Sequence, residues 1–113
     1  MQKQASDLYS KIYEIVKQVP EGKVTSYGII AKLIGTDFSA RVVGYAMNNA
    51  HKEKNVPAHR VVNRNGLLTG RHHFSTPELM QSLLEQEGIV ITNNQVVNFQ
   101  DHLWNPLQDE DYL

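Results

Sequence analysis

The chain of 113 residues is long enough for one modest domain and too short for two, and it has no cysteine, which excludes disulfides, thiolate nucleophiles and Cys-type zinc sites. No stretch approaches the ~20 apolar residues of a membrane span, and the N-terminal residues read as an amphipathic helix rather than a secretory signal, so a cytoplasmic protein is expected. The net charge is only −1, yet residues 22–75 carry +6 and the two flanks together −7. A basic centre in an acidic envelope is the electrostatic footprint of a polyanion-binding protein, or else an unevenly charged, solvated surface.

Residues 6–19 place Leu8, Ile12, Ile15, Val16 and Val19 at helical spacing, with Ser6 as N-cap and Pro20-Glu21-Gly22 as the stop. Lys23-Val24-Thr25 is a short extended piece. A second helix over 26–34 carries the stripe Ile29, Ile30, Leu33 and Ile34, capped by Thr25 or Ser26 and closed by Gly35 in a left-handed conformation. A third follows at once, with Thr36 as N-cap, Asp37 in the first turn and 40–49 as its body. Two short helices about a tight Gly-containing turn outline a helix-turn-helix, as do many pairs in small helical domains. On the third helix Ala40, Gly44 and Met47 fall close to one face with Arg41 beside them. Gly44 costs about 1 kcal/mol relative to alanine there, so either close helix packing or close approach of a ligand must offset it.

After a polar loop over 48–56 comes Pro57-Ala58-His59-Arg60-Val61-Val62. Proline fixes its own φ and pushes Val56 toward extended geometry, and the two valines suit a buried strand. The stretch reads as a plain strand start or as a polar pair delivered to a site from a rigid turn. Residues 61–68 predict a hairpin about Asn65-Gly66, and 69–75, with Arg71, His72 and His73, a loop. Thr76-Pro77-Glu78 opens another helix with Thr as N-cap and Pro at N1, facing the core with Leu79, Met80, Leu83 and Leu84 and ending at Gly88. Residues 89–99 form a second hairpin around Asn93-Asn94. Five histidines invite a metal site, but His72 and His73 are adjacent rather than four apart and no acid stands at a ligand spacing, so no metal or cofactor is expected.

Four motifs carry a resemblance to a known family: Gly22-Lys23-Val24-Thr25-Ser26-Tyr27-Gly28, Ala40-Arg41-Val42-Val43-Gly44-Tyr45-Ala46-Met47, Pro57-Ala58-His59-Arg60-Val61-Val62 and Leu84-Glu85-Gln86-Glu87-Gly88. In order and spacing they resemble the DNA-binding domain of the O6-alkylguanine-DNA alkyltransferases, with a small insertion near 71–75. The resemblance implies a mainly α fold with small β-hairpins, a winged helix-turn-helix-like DNA-binding domain over 1–100, followed by an acidic C-terminal tail over 101–113 whose end is expected to be mobile. The family's acceptor cysteine, in Pro-Cys-His-Arg-Val, aligns with Ala58, whose methyl group is no nucleophile. His59 and Glu87, the remainder of the relay, have nothing to activate. The pattern resembles the alkyltransferase-like proteins, which bind without transferring.

The resemblance further implies that 40–48 is a recognition helix entering the minor groove, where Gly44 and Ala46 permit close approach. Arg41 would fill the base stack behind a flipped nucleotide, and Tyr27 would crowd the neighbouring phosphate, unless it is a structural tyrosine. The base would rest against Pro57 and Ala58 with Arg71 stacked on it or donating to its oxygen. His72 and His73 are phosphate contacts or solvated loop residues. Asn48 and Asn49 lie near the family's hinge asparagine, whose own register position is Ala50, and Arg60 is structural. The implied function is a monomeric, non-enzymatic sensor that flips O6-alkylguanine in duplex DNA and hands it to nucleotide excision repair proteins. The alternatives are a transferase with an unusual acceptor and a winged-helix transcription regulator.

Overall fold

The computed structural model describes residues 2–35 and 38–110, with side-chain surroundings for 7–35 and 38–108. The expected capping roles of Thr36 and Asp37 fall outside the described residues. Helix α1 (Gln2–Val16) starts before Ser6, so that residue lies within the helix and does not cap it. Its last turn tightens: the Gln18 and Val19 N–H groups donate to Ile15 and Val16, three residues back. Strand β1 (Thr25–Ser26) runs directly into α2 (Tyr27–Ile34). Ser26 is the N-cap, its Oγ accepting from Ile29 N–H at 3.2 Å. Gly35 closes α2 in extended geometry (φ 159°, ψ 163°), not the left-handed one expected. Helix α3 (Ala40–Asn48) follows, with Ser39 at its cap position.

The stretch after Pro57 is short but decides the architecture. Pro57 (φ −78°, ψ 73°) forms an inverse γ-turn, with Ala58 N–H donating to Val56 C=O at 2.8 Å. One turn of 3-10 helix (Ala58–Arg60) then leads into β2 (Val61–Val62). Strand β2 pairs in parallel with β1, Thr25 opposite Val61 and Ser26 opposite Val62. Successive strand residues face opposite ways. Val61 therefore enters a core shared by α1, α2 and α3 (Ile12, Val16, Ile30, Val43, Ala46), and Val62 a second one built from Val24, Leu68, Met80, Leu84, Ile89 and Val96. Both valines are essentially fully buried because they stand between two cores.

The hairpin expected over 61–68 is only a chain reversal. Gly66 N–H donates to Asn63 C=O, Asn63 N–H to Leu67 C=O, and Gly66 is left-handed (φ 80°), which is a three-residue loop rather than a two-residue turn at Asn65-Gly66. Asn63 Oδ1 fills the loop, accepting from Asn65 and Leu67 N–H. The arms then diverge, β2 to β1 and Leu67 to a bridge with Gln95. Residues 69–73, expected as loop, are a 3-10 helix (Thr69–His73). Helix α4 (Leu79–Gln86) starts later than expected, after a turn in which Thr76 C=O accepts from Leu79 N–H. The Asn93-Asn94 hairpin of β3 (Ile91–Thr92) and β4 (Gln95–Val96) forms as expected, both asparagines left-handed. Beyond it come α5 (Phe99–His102) and α6 (Pro106–Glu110). The segment after 100 starts within the fold's hydrogen bonding: Val24 N–H donates to His102 C=O, Trp104 N–H to Val24 C=O, and Thr25 Oγ1 to Trp104 C=O.

Helix α4 ends in a Schellman motif. Ile89 N–H donates to Leu84 C=O and Gly88 N–H to Glu85 C=O, with Gly88 at φ 88°. Glu87, at the C-cap, is directed into the protein, with 9% of its side chain exposed. Its carboxylate meets His59 Nε2 at 2.6 Å and accepts from Arg60 Nη2 at 2.9 Å and from Gly22 N–H at 2.8 Å. Arg60 also donates through Nη1 to Val19 C=O at 2.9 Å. Three chain segments, the turn over 19–22, the Pro57 turn and the end of α4, are thus tied together behind Ala58.

Burial alone would raise the Glu87 pKa; hydrogen bonds from Arg60, Gly22 and His59 outweigh it and lower the value from 4.5 to about 2. A carboxylate with a depressed folded pKa stabilises the fold fully above pH 4.5, and this contribution is lost as the pH falls toward 2. The shift corresponds to about 3 kcal/mol. Denaturant titrations should show that loss across this acid window for the parent protein, and Glu87→Gln should be less stable by about 3 kcal/mol at pH 7 with a flatter acid limb. A Glu87→Gln variant as stable as its parent would contradict the anchoring role.

Candidate nucleic-acid interface

The β1–β2 pairing sets the first residue of α2 beside the Pro57 turn, and the two meet in a small cleft. Ala58 and Val61 line it from the turn and β2, Tyr27 from α2, and Met47 and Asn48 from the end of α3. Gly70, His73 and Phe74 line it from the 3-10 helix and its end, and His51 from the turn after α3. The free space inside is about 20 Å³, room for about one water. Burial pushes the Tyr27 phenol pKa up, partly offset by the Thr69 hydroxyl, so Tyr27 presents a neutral O–H. It stands so close to Gly70 that a Cβ there would meet the Tyr27 oxygen at 3.0 Å. Tyr27, Pro57 and Ala58 thus belong to one surface: Ala58 lines the cleft, and half-buried Pro57 forms the turn that carries it.

Arg71 does not line the cleft. Its guanidinium donates through Nη1 to Leu68 C=O at 3.0 Å, on its own turn. A 3-10 helix has three residues per turn, so Gly70 and His73 share a face while Arg71 lies a third of a turn away. Reading this segment as a loop hid that periodicity. His72 and His73 are both exposed, and of the two only His73 borders the cleft. His51 and Phe74, which sequence reasoning did not single out, meet edge to face with ring centroids 4.6 Å apart. Such a pair contributes about 0.5–1.5 kcal/mol, less than the roughly 3–5 kcal/mol lost on breaking a buried ion pair such as Arg60–Glu87. An aromatic residue in an otherwise polar stretch was the available signal for Phe74. His51 had none.

Helix α3 shows a polar face containing exposed Ala40, Arg41, Tyr45 and Asn48, with Gly44 half-buried among them. Arg41 makes no ion pair with a described residue, and Tyr45 is 53% exposed. A Cβ on Gly44 would meet nothing within 4 Å, which removes tight helix packing as the reason for glycine there. Ala46, expected on the binding face, is on the opposite one: it is fully buried in the first core and its C=O accepts from Tyr13 Oη at 2.6 Å. A single helical face cannot hold both Gly44 and Ala46, two residues apart. Met47, grouped by spacing with Ala40, is 7% exposed and reaches the cleft from the core side. Asn49 Nδ2 donates back to Tyr45 C=O at 3.4 Å, and Ala50 is buried.

The relay expected at His59 and Glu87 is assembled, but it adjoins the methyl group of Ala58. No three His, Asp or Glu side chains among the described residues converge as a metal site, and no described helix is long and apolar enough to cross a membrane.

Residues 7–89 match the family model of the 6-O-methylguanine DNA methyltransferase DNA-binding domain. An alkyltransferase-like protein of Schizosaccharomyces pombe is 36% identical over 104 residues, covering 88% of this chain and 96% of its own. A DNA base-flipping protein of Escherichia coli is 36% identical over 98 residues, covering 84% of this chain and 72% of its own. Among solved structures, the S. pombe protein in complex with damaged DNA containing O6-carboxymethylguanine matches with a TM-score of 0.75 at 38% identity, over 89% of this chain and 97% of that one. An alkyltransferase of Mycobacterium tuberculosis in complex with DNA gives 0.59 at 34% identity, over 72% of this chain and 49% of that one. The matches span both cores and the cleft between them, and the chain belongs to the family of the 6-O-methylguanine DNA methyltransferase DNA-binding domain.

Proposed function

We propose that this protein is a non-enzymatic DNA damage sensor that flips O6-alkylguanine out of duplex DNA and holds it. The observation that carries the proposal is Ala58. It sits on a turn pinned from behind by a complete His59–Glu87–Arg60 network, at the cleft, in a chain without a cysteine. A site that keeps its framework and lacks its nucleophile can bind a base but cannot accept its alkyl group. Binding of damaged DNA by the S. pombe relative, and the base-flipping designation of the E. coli one, support the same reading.

In this account α3 enters the minor groove by the face that carries Arg41, with open space over Gly44 for the approaching duplex. Arg41 takes the place of the extruded base, where its planar guanidinium stacks and donates to the orphaned partner. Tyr27 and Ala58 border the space the base occupies. Exposed Lys23, Lys32, Lys52, Lys54 and Arg64 supply positive charge toward the phosphates. Because the lesion is only marked, other proteins must remove it. We assign that step to nucleotide excision repair proteins, with this chain acting as a cytoplasmic monomer.

Titration of a duplex with and without one O6-methylguanine at fixed salt should show tighter binding to the damaged duplex; equal affinities would falsify the proposal. Arg41→Ala should weaken binding to the lesion about tenfold or more, because the extruded state loses its plug. If that variant binds like the parent, intercalation is wrong. Ala58→Cys, incubated with labelled O6-methylguanine DNA, should acquire detectable label through the assembled His59–Glu87 pair. No transfer would mean that the base does not reach in-line geometry with residue 58.

A further inference from the structure

As it stands the cleft cannot take a purine, since its free space is room for about one water. Something must move, and the parts around it differ in how firmly they are held. Ala58 and Val61 ride on the turn that Glu87 ties down through His59 and Arg60. Met47 is buried in the first core, and Phe74 packs against the second. Tyr27 has its oxygen against Gly70. His51 is different. It is exposed, it makes no side-chain hydrogen bond to a described residue, and its ring meets the cleft by resting edge to face on Phe74 at 75°.

The two segments that bring these rings together are each held locally. Lys52 and Glu53 N–H donate to Asn49 and Ala50 C=O on one side, and Arg71 and Phe74 N–H to Leu68 and Arg71 C=O on the other. The His51 ring can therefore swing to solvent without breaking a core contact or a hydrogen bond among the described residues. Phe74 cannot leave without uncovering the second core.

We propose that His51 is the gate through which a flipped base enters the cleft, and that Phe74 is the fixed wall that then selects the O6 substituent. Opening of the gate leaves the Phe74 ring facing the vacated space. A ring favours apolar substituents, and a flat aromatic one can stack or pack edge-on against it. The Phe74 ring thus favours an O6-alkylguanine whose substituent is apolar. This rests on the lesion-flipping proposal above and adds to it the residues that control entry and substituent choice.

Stopped-flow mixing tests it, using duplexes with one O6-methylguanine, one O6-benzylguanine or an undamaged guanine, and a fluorescent base next to the target that brightens when the stack opens. His51→Ala should flip both lesions at least threefold faster than the parent, while His51→Phe, which keeps a ring on Phe74, should stay within twofold of the parental rate. Phe74→Leu should lower the preference for benzyl over methyl severalfold. If His51→Ala flips no faster than the parent although the parent discriminates damaged from undamaged DNA, the gate is refuted and the sensor proposal stands. If the parent itself does not discriminate, both are refuted. A His51→Phe variant as fast as His51→Ala would also overturn the gate, because the ring contact would then not be what holds the cleft shut.

Discussion

The Glu87 carboxylate is the constraint on which the rest of the structure depends. Removed from solvent at the end of α4, it is bound by His59, Arg60 and the Gly22 amide, and Arg60 continues the tie to the end of α1 at Val19. Residues far apart in sequence are thereby held in one frame, and the Pro57 turn stands on it. Without a nucleophile at position 58, the His59–Glu87 pair could be taken for a relic. Its geometry gives it a present role. Removing the carboxylate would strand the Arg60 guanidinium and the Gly22 amide, and leaving such groups unpaired carries their desolvation penalty.

Strand β2 transmits that frame to the cleft. It has two residues, each committed to a different core, so neither can rotate or slip without exposing a valine. Parallel pairing with β1 then fixes Tyr27 relative to Ala58. The rigid side of the cleft comes from these elements and from Phe74 on the second core, and the proposed adjustable side from the short 3-10 turn Ala50–Lys52, which carries His51. A binding site that has to accept a large flat group, yet is closed at rest, needs both kinds of wall.

Much of this was legible in the sequence where local chemistry decides local structure. The Ser26 cap, the Asn93-Asn94 turn, the apolar stripes of the helices and the Gly88 stop each rest on one or two residues and formed as expected. What was missed depended on partners distant in the chain. Val61-Val62 could have paired forward across the Asn65-Gly66 turn, but β1 offered a pairing that buried both valines. Ala46 was placed on the binding face by residue size, and the helical periodicity puts it opposite Gly44, in the core. His51 carries no local signature at all, since only the fold brings it to Phe74.

The central claim is that the site holds a damaged base without repairing it, and one experiment reads both halves at once. The protein is incubated with a duplex carrying a single O6-methylguanine with an isotopically labelled methyl group, the bound fraction is isolated, and protein and DNA are weighed by mass spectrometry. The account predicts a retained complex in which the protein mass is unchanged and the methyl group remains on guanine. A protein heavier by one labelled methyl group, or DNA that has lost it, would contradict the account.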